Sequence, residues 1–168
     1  MALQTNPFHK IFDLAELQRL RDGWKAAGEK VVFTNGVFDL IHPGHLIYLQ
    51  EAADLGTKLI LAINSDASVK MLGKGDSRPI NKEQDRAIIM SAMSIIDAVV
   101  IFEEETPQNI INVLMPDVLV KGGDYTIDNI VGAKEVLANG GEVKQLQFVE
   151  GYSTTAIEQK IIATSLKK

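Results

Sequence analysis

Two histidines three residues apart, His42 and His45, are the first candidates for chemistry in this chain. They close the run Thr34-Asn35-Gly36-Val37-Phe38-Asp39-Leu40-Ile41-His42-Pro43-Gly44-His45, which leaves an apolar segment and enters a helical pattern. A spacing of three puts both rings on one helix face. Pro43 suits the first turn of that helix. Its N-terminus adds unpaired N–H donors and the positive end of the helix dipole. Gly36 and Gly44 let a ligand approach the backbone closely. The combination suits an anion, and a polyphosphate in particular. It is not the G-x-G-x-x-G fingerprint, and G-x-x-x-x-G-K-[ST] occurs nowhere. Two other readings stand beside it. One histidine caps the helix while the other lies on the surface, or the pair binds a metal, although no carboxylate completes H-E-x-x-H.

Further candidates follow other strand-like segments. Asn64-Ser65-Asp66 offers small polar groups, which could equally form a turn and a cap. Ser68 to Arg78 carries Lys70, Lys74 and Arg78 among Gly73 and Gly75, and reads as a mobile basic loop able to close over phosphates, or as a solvated connection. Arg86 falls early in a helix whose core face is expected to be Ile88, Ile89, Ala92 and Met93. Lys121-Gly122-Gly123-Asp124-Tyr125 ends another strand, where paired glycines permit either ligand contact or a tight turn. Gly151-Tyr152-Ser153-Thr154-Thr155 opens the last helix, with Ser153 as its cap and the threonines as further phosphate or ribose contacts.

These segments are positioned by a regular alternation. Helix is expected over Asp13 to Ala27, strand over Lys30 to Asn35, and helix over His45 to Leu55. Strand Lys58 to Ile63, helix Lys82 to Ile95 and strand Ala98 to Phe102 come next. Helix Pro107 to Leu114 capped by Thr106, strand Asp117 to Val120, helix Gly132 to Ala138, strand Glu142 to Leu146 and helix Ser153 to Thr164 complete the order. The nearly continuous apolar strands imply burial on both faces. The α/β alternation implies a Rossmann-like, doubly wound parallel sheet of about five strands with helices on both faces. Ligands bind such sheets beyond the carboxyl ends of the strands, near the switch point. Residues 1–28 are expected as an N-terminal helical extension and 29–168 as the main domain.

Composition narrows the function classes. The 168 residues suit one domain, and 46% apolar with 23% charged residues exclude a disordered chain. Seventeen basic against 22 acidic residues give a net charge of −5, which argues against a nucleic-acid-binding surface as the main function. With no cysteine, a disulfide framework, a thiolate nucleophile and a Cys-ligated zinc are excluded, and a reducing cytoplasm suits the chain. The first residues carry charges throughout and do not read as a secretory signal. No membrane span is expected.

His42-Pro43-Gly44-His45 after Gly36-Val37-Phe38-Asp39 resembles the HxGH signature of the nucleotidylyltransferase superfamily, and Gly151 to Thr155 resembles its C-terminal signature. Thr34 to Asp39, Asn64 to Asp66, Gly75 to Pro79, Glu105 to Gln108, Val120 to Tyr125 and Ala138 to Val143 resemble the adenylyltransferase domain of bacterial ADP-heptose synthases. The likeness runs over residues 30–162. It implies transfer of AMP from ATP, with Mg²⁺, to a heptose 1-phosphate for bacterial surface polysaccharide. It assigns His42, His45, Lys74 and Arg78 to catalysis. Thr34, Asn35, Gly36, Phe38, Gly44, Arg86, Lys121, Gly123, Asp124, Gly151, Ser153, Thr154 and Thr155 go to the nucleotide, and Asp39, Asn64 and Asp66 to the substrate. It also implies a homodimer and a separate sugar kinase upstream.

One position departs from the pattern: related cytidylyltransferases carry an arginine where this chain has Phe148. A sugar 1-phosphate is already an anionic nucleophile, so no general base is needed, and the demand is for positive charge at the transition state. The competing expectations are a cytidylyltransferase acting on glycerol 3-phosphate or a similar alcohol, and a non-catalytic nucleotide sensor. The sensor is disfavoured because both histidine positions are filled.

Overall fold

A computed structural model describes residues 7–73, 77–124, 126–149 and 151–165. Five parallel strands form one sheet: β1 (Val31–Gly36), β2 (Lys58–Asn64), β3 (Ala98–Phe102), β4 (Val118–Gly122) and β5 (Glu142–Leu146). Their order is β3-β2-β1-β4-β5. Phe33 sits opposite Ile60 of β2 and Leu119 of β4. β1 is therefore central, and the switch point lies where β1 meets β4.

Alternation along each strand decides what packs on which face. Val31 and Phe33 join Ile60, Ala62, Leu119 and Val143 on one face. There they meet Leu17 of α1 (Leu14–Ala26), Ile110, Ile111 and Leu114 of α5 (Gln108–Leu114), and Val136 of α6 (Ala133–Ala138). Val32, Leu59, Leu61, Val118 and Val120 pack on the other face. They cover Leu49 and Ala52 of α2 (Pro43–Ala53) and Ala87 and Met90 of α4 (Glu83–Ser91). The segment expected as an extension packs closely here. Leu17 is fully buried, Phe12 N donates to Val99 O at 3.0 Å, and Asp13 and Glu16 form a reciprocal capping box on α1. Among the described residues, no helix is long and apolar enough to cross a membrane.

Three local expectations are corrected. The first half of the supposed basic loop is a short helix, α3 (Asp66–Met71), capped by Ser65, whose side chain accepts from Ser68 N at 3.0 Å. Val69 buries into the fold and Lys70 stays exposed. Thr106 does not cap α5; Pro107 holds that position without a side-chain bond, and Thr106 lines a cavity instead. On α4 the buried residues are Arg86, Ala87, Met90 and Ser91, whereas Ile89 is 43% exposed and Ala92 is exposed. The helix is rotated from the expected face because an arginine occupies the core side. The final helix, α7 (Thr154–Ser165), buries none of its residues.

Candidate active site

A cavity of about 690 Å³ opens at the carboxyl ends of β1 and β4, beside the first turns of α2 and α7. β1 delivers Asn35 and Gly36 to its floor. The chain then turns sharply, with Phe38 in the left-handed region at φ 50° and its ring buried. This turn drives Asp39 inward. Its carboxylate accepts from Ile80 N and Asn81 N, both at 2.8 Å, while Asn81 Nδ2 donates to Asp39 O at 2.8 Å. Asp39 borders the cavity, but its oxygens are engaged in fixing the segment before α4.

His42 caps α2 with extended backbone and no side-chain capping bond, and Pro43 supplies the first helical residue. The His42 and His45 rings stack at 3.9 Å between centroids and 20° between planes, so the spacing does bring both to one face. A Cβ at Gly44 would stand 3.0 Å from Tyr152 Cβ and 3.2 Å from His42 Nδ1. Glycine there lets the loop before α7 close onto the helix start. Tyr152 then extends the stack, 6.2 Å from His42. Phe38 meets His45 from another side at 5.3 Å.

Burial sets the charge of this pair. It pushes His45 down to about 4, with the like charge of His42 as a second cause. It lowers His42 as well, outweighing an opposing contact with that residue's own backbone. Neither Nδ1 has a hydrogen-bond partner outside its own residue among the described residues. Two neutral imidazoles therefore stand at the N-terminal end of α2 at neutral pH. An arriving polyphosphate favours the protonated form and raises both values. One turn beyond His45, buried Tyr48 shares a 2.5 Å hydrogen bond with Thr34 Oγ1. Burial pushes its phenol up to about 12, against hydrogen bonds with Thr34 and the Gly122 backbone.

Of the expected site residues, Asn35, Gly36, Phe38, Asp39, His42, Gly44, His45, Arg78, Lys121, Ser153, Thr154 and Thr155 line this cavity. Thr34 lies beneath it, bonded to Tyr48. Ser153 Oγ accepts from Ala156 N at 3.0 Å, so its hydroxyl caps α7. Lys121 Nζ donates to Asn35 Oδ1 at 3.0 Å across the floor. Gly123, Asp124 and Gly151 lie outside the lining. Lys74 falls outside the described residues. Arg86 is fully buried and lines neither this cavity nor the second one. Its Nε, Nη1 and Nη2 donate to Asn81 O, Val37 O and Asp66 Oδ1 at 3.0, 2.6 and 2.8 Å. Asp66 is thus an anchor for Arg86. Sequence reasoning left Val37, Tyr48, Val69, Gly122, Phe148, Val149 and Tyr152 off the site. Tyr48 carried a signal, three residues past His45 on the same helix face, and Gly122 and Tyr152 lay within segments already singled out.

A second cavity of about 380 Å³ shares Asn35, Gly36, Val37 and Lys121 with the first. Asn64, Glu105, Thr106 and Asn129 give it polar groups, with Leu72, Leu119 and Ile130 as apolar walls. Asn64 Nδ2 donates to Ser68 Oγ at 2.9 Å, which holds its amide at the rim.

Arg78 links the first cavity to α7. It pairs with Asp39 at 3.6 Å and donates to Glu158 Oε2, with its side chain mostly covered. Replacing Arg78 with alanine is expected to lower kcat/KM for the nucleotide roughly tenfold, the scale of losing one charge-assisted bond. The same variant should speed proteolysis within α7. Kinetics and limited digestion run side by side check this, and unchanged values in both would place the phosphate contact on another residue.

Neutral imidazoles and helix N-termini at the carboxyl ends of parallel strands, next to a second cavity across a shared wall, suit the transfer of a group from a polyphosphate to a second substrate. Residues 33–160 match the cytidylyltransferase-like family, and the chain belongs to that family. It is 59% identical over 133 residues to the bifunctional protein HldE of Marinomonas sp. (strain MWYL1), covering 79% of this chain and 28% of that protein. It is 52% identical over 151 residues to HldE of Haemophilus influenzae (strain PittGG), covering 90% of this chain and 32% of that one. The chain thus spans about a third or less of these curated relatives. Among solved structures it resembles a lipopolysaccharide core biosynthesis protein from Thermoplasma volcanium GSS1, with a TM-score of 0.60 and 26% identity over 75% of this chain and all of that one. A pantoate-beta-alanine ligase from Francisella tularensis shares the fold at a TM-score of 0.57 and 11% identity, over 82% of this chain and 66% of that chain.

Proposed function

We propose that this chain is an adenylyltransferase that moves AMP from ATP to a heptose 1-phosphate, releasing pyrophosphate and ADP-heptose for a bacterial surface glycan. The observation that carries the reading is the pair of cavities meeting at Asn35, Gly36, Val37 and Lys121. The first takes the nucleotide, with its phosphates at the start of α2. The second takes the sugar phosphate, with Asn64, Glu105 and Asn129 available to its hydroxyls. The relatedness to HldE proteins and the likeness to a lipopolysaccharide core biosynthesis protein support the acceptor class.

In the transfer, an oxygen of the sugar phosphate attacks the α-phosphorus of ATP, the bond to the β-phosphate oxygen breaks, and pyrophosphate leaves. Lys121, on the shared wall, is placed to attract both phosphates. His42 and His45 donate to the phosphoryl oxygens as charge builds. No base is required, because the attacking oxygen is already anionic. Mg²⁺ would neutralise phosphate charge. Among the described residues no three His, Asp or Glu side chains are grouped to hold a metal, and Asp39 is committed to backbone donors. The described residues do not form a protein cage for the ion, so it would enter on the triphosphate. A cytoplasmic, homodimeric enzyme supplied with sugar phosphate by a kinase completes this reading.

Pyrophosphate release measured with ATP or CTP, each against heptose 1-phosphate and glycerol 3-phosphate, tests it. The expected result is release above background only with ATP and heptose 1-phosphate. Turnover with CTP and glycerol 3-phosphate would establish the cytidylyltransferase alternative. Nucleotide binding without release in any combination would establish the sensor.

A further inference from the structure

Phe148 is 69% exposed, the most exposed large apolar side chain among the described residues, yet it lines the first cavity. A ring left so far in water gives up the burial that ordinarily stabilises it. Its position is nonetheless fixed. A Cβ on Gly122 would stand 2.9 Å from Phe148 Cε1 and 3.0 Å from Tyr48 Cε2. The edge of the phenyl ring therefore rests on bare backbone at the end of β4, beside the Tyr48 ring. The neighbouring backbone is tied down, with Gly123 N donating to Leu146 O at 3.0 Å and Gln145 Nε2 donating to Gly123 O.

The cavity's contacts fall into three groups. Arg78 and Asp39 pair with each other, and Thr154 reaches Leu40 O next to Asp39. His42, His45 and Tyr152 stack at the start of α2. Those groups offer charge and N–H donors, which suit phosphates. The group of Phe148, Gly122 and Tyr48 offers flat apolar surface, and the Tyr48 hydroxyl already has Thr34 as its partner. A flat heterocycle suits it.

We infer that Phe148 is the platform on which the nucleobase stacks, and that it selects a purine over a pyrimidine. This inference rests on the adenylyltransferase reading. Two fused rings cover more of a phenyl face than one, so the stacking gain is larger for adenine than for cytosine. A base–aromatic contact corresponds to about a 5- to 150-fold change in affinity on truncation.

The test uses calorimetric binding of ATP and of CTP without acceptor, and kcat/KM for both, in wild type, Phe148→Ala and Phe148→Trp, with circular dichroism to confirm the fold. The platform predicts ATP binding weakened about 50-fold in the alanine variant, CTP binding weakened only about fivefold, and ATP affinity kept in the tryptophan variant. kcat at saturating ATP should hold within about twofold, since the contact is equal in ground and transition states. If wild type favours ATP and the alanine variant keeps the same ATP-to-CTP ratio, the selectivity is overturned while the adenylyltransferase reading stands. A fall in kcat with unchanged affinity overturns the platform and puts the ring in the chemistry. Wild-type preference for CTP overturns the adenylyltransferase reading and the purine selectivity together.

Discussion

Alanine at His45 is expected to lower kcat by on the order of 10²-fold or more, the usual scale for removing a donor to a developing oxyanion. His42→Ala should lose a similar amount, because the stacked rings meet the same phosphates. Both variants should fold, since neither imidazole belongs to the two apolar clusters. Near-normal turnover in folded variants would remove the pair from the mechanism. The same residues leave a mark on stability. His45 titrates near 4 when folded, below its ordinary 6.5. Between those values the unfolded chain takes up a proton that the folded chain refuses. Unfolding free energy should therefore fall as pH drops through this window, and stay level with respect to this group above it. His45→Ala should flatten that part of the profile in urea titrations.

Arg86→Met should destabilise the fold by about 3 kcal/mol, near the low end for breaking a buried pair, because Asp66 remains partly exposed. The loss comes from three acceptors, the Val37 and Asn81 carbonyls and the Asp66 carboxylate, left without their donors. Lysine should not restore it, since a compact ammonium cannot serve three divergent acceptors. Urea midpoints at constant slope give the measurement. An unchanged midpoint would mean that water replaces the guanidinium cheaply. Because Val37 and Asp39 share the turn that shapes the cavity floor, the variant should also lose turnover at temperatures where it remains folded.

The parallel sheet was legible because β1 to β4 are largely buried on both faces, whereas the edge strand β5 exposes Glu142 and Lys144. Val31-Val32-Phe33 and Lys58 to Ile63 read as strands from their apolar continuity, and the observed ladders agree. That His42 and His45 share a helix face was legible from their spacing alone. Arg86 was not, since its acceptors come from residues 37, 66 and 81, which only the folded chain brings together. Its burial also explains the misplaced face of α4. A periodicity reading keeps charge out of the core, and so turned Ile88 and Ile89 inward in place of Arg86 and Ala87. Lysines and glycines after Asp66 hid α3, whose cap and one buried valine outweigh composition over six residues. Phe148 and Tyr152 carried no periodic signal, because a ring that faces a cavity from a loop repeats with nothing.

The thin attachment of α7 has a thermodynamic corollary. The helix buries no residue, and its bonds to the rest of the fold include Thr154 to Leu40 O and Glu158 to Arg78, of which Thr154 and Arg78 line the first cavity. A ligand that draws on Arg78 and the first turn of α7 then acts on the docking equilibrium of the helix as well. Linkage makes the exchange reciprocal: whatever free energy the ligand contributes to docking α7, docking contributes to the ligand. Substitutions at the exposed residues of α7, Ile161 and Ile162 among them, are then expected to alter ligand affinity at that cavity through docking alone. A binder that grips or loosens that face is expected to shift how tightly the cavity holds its ligand, with the sheet beneath unchanged.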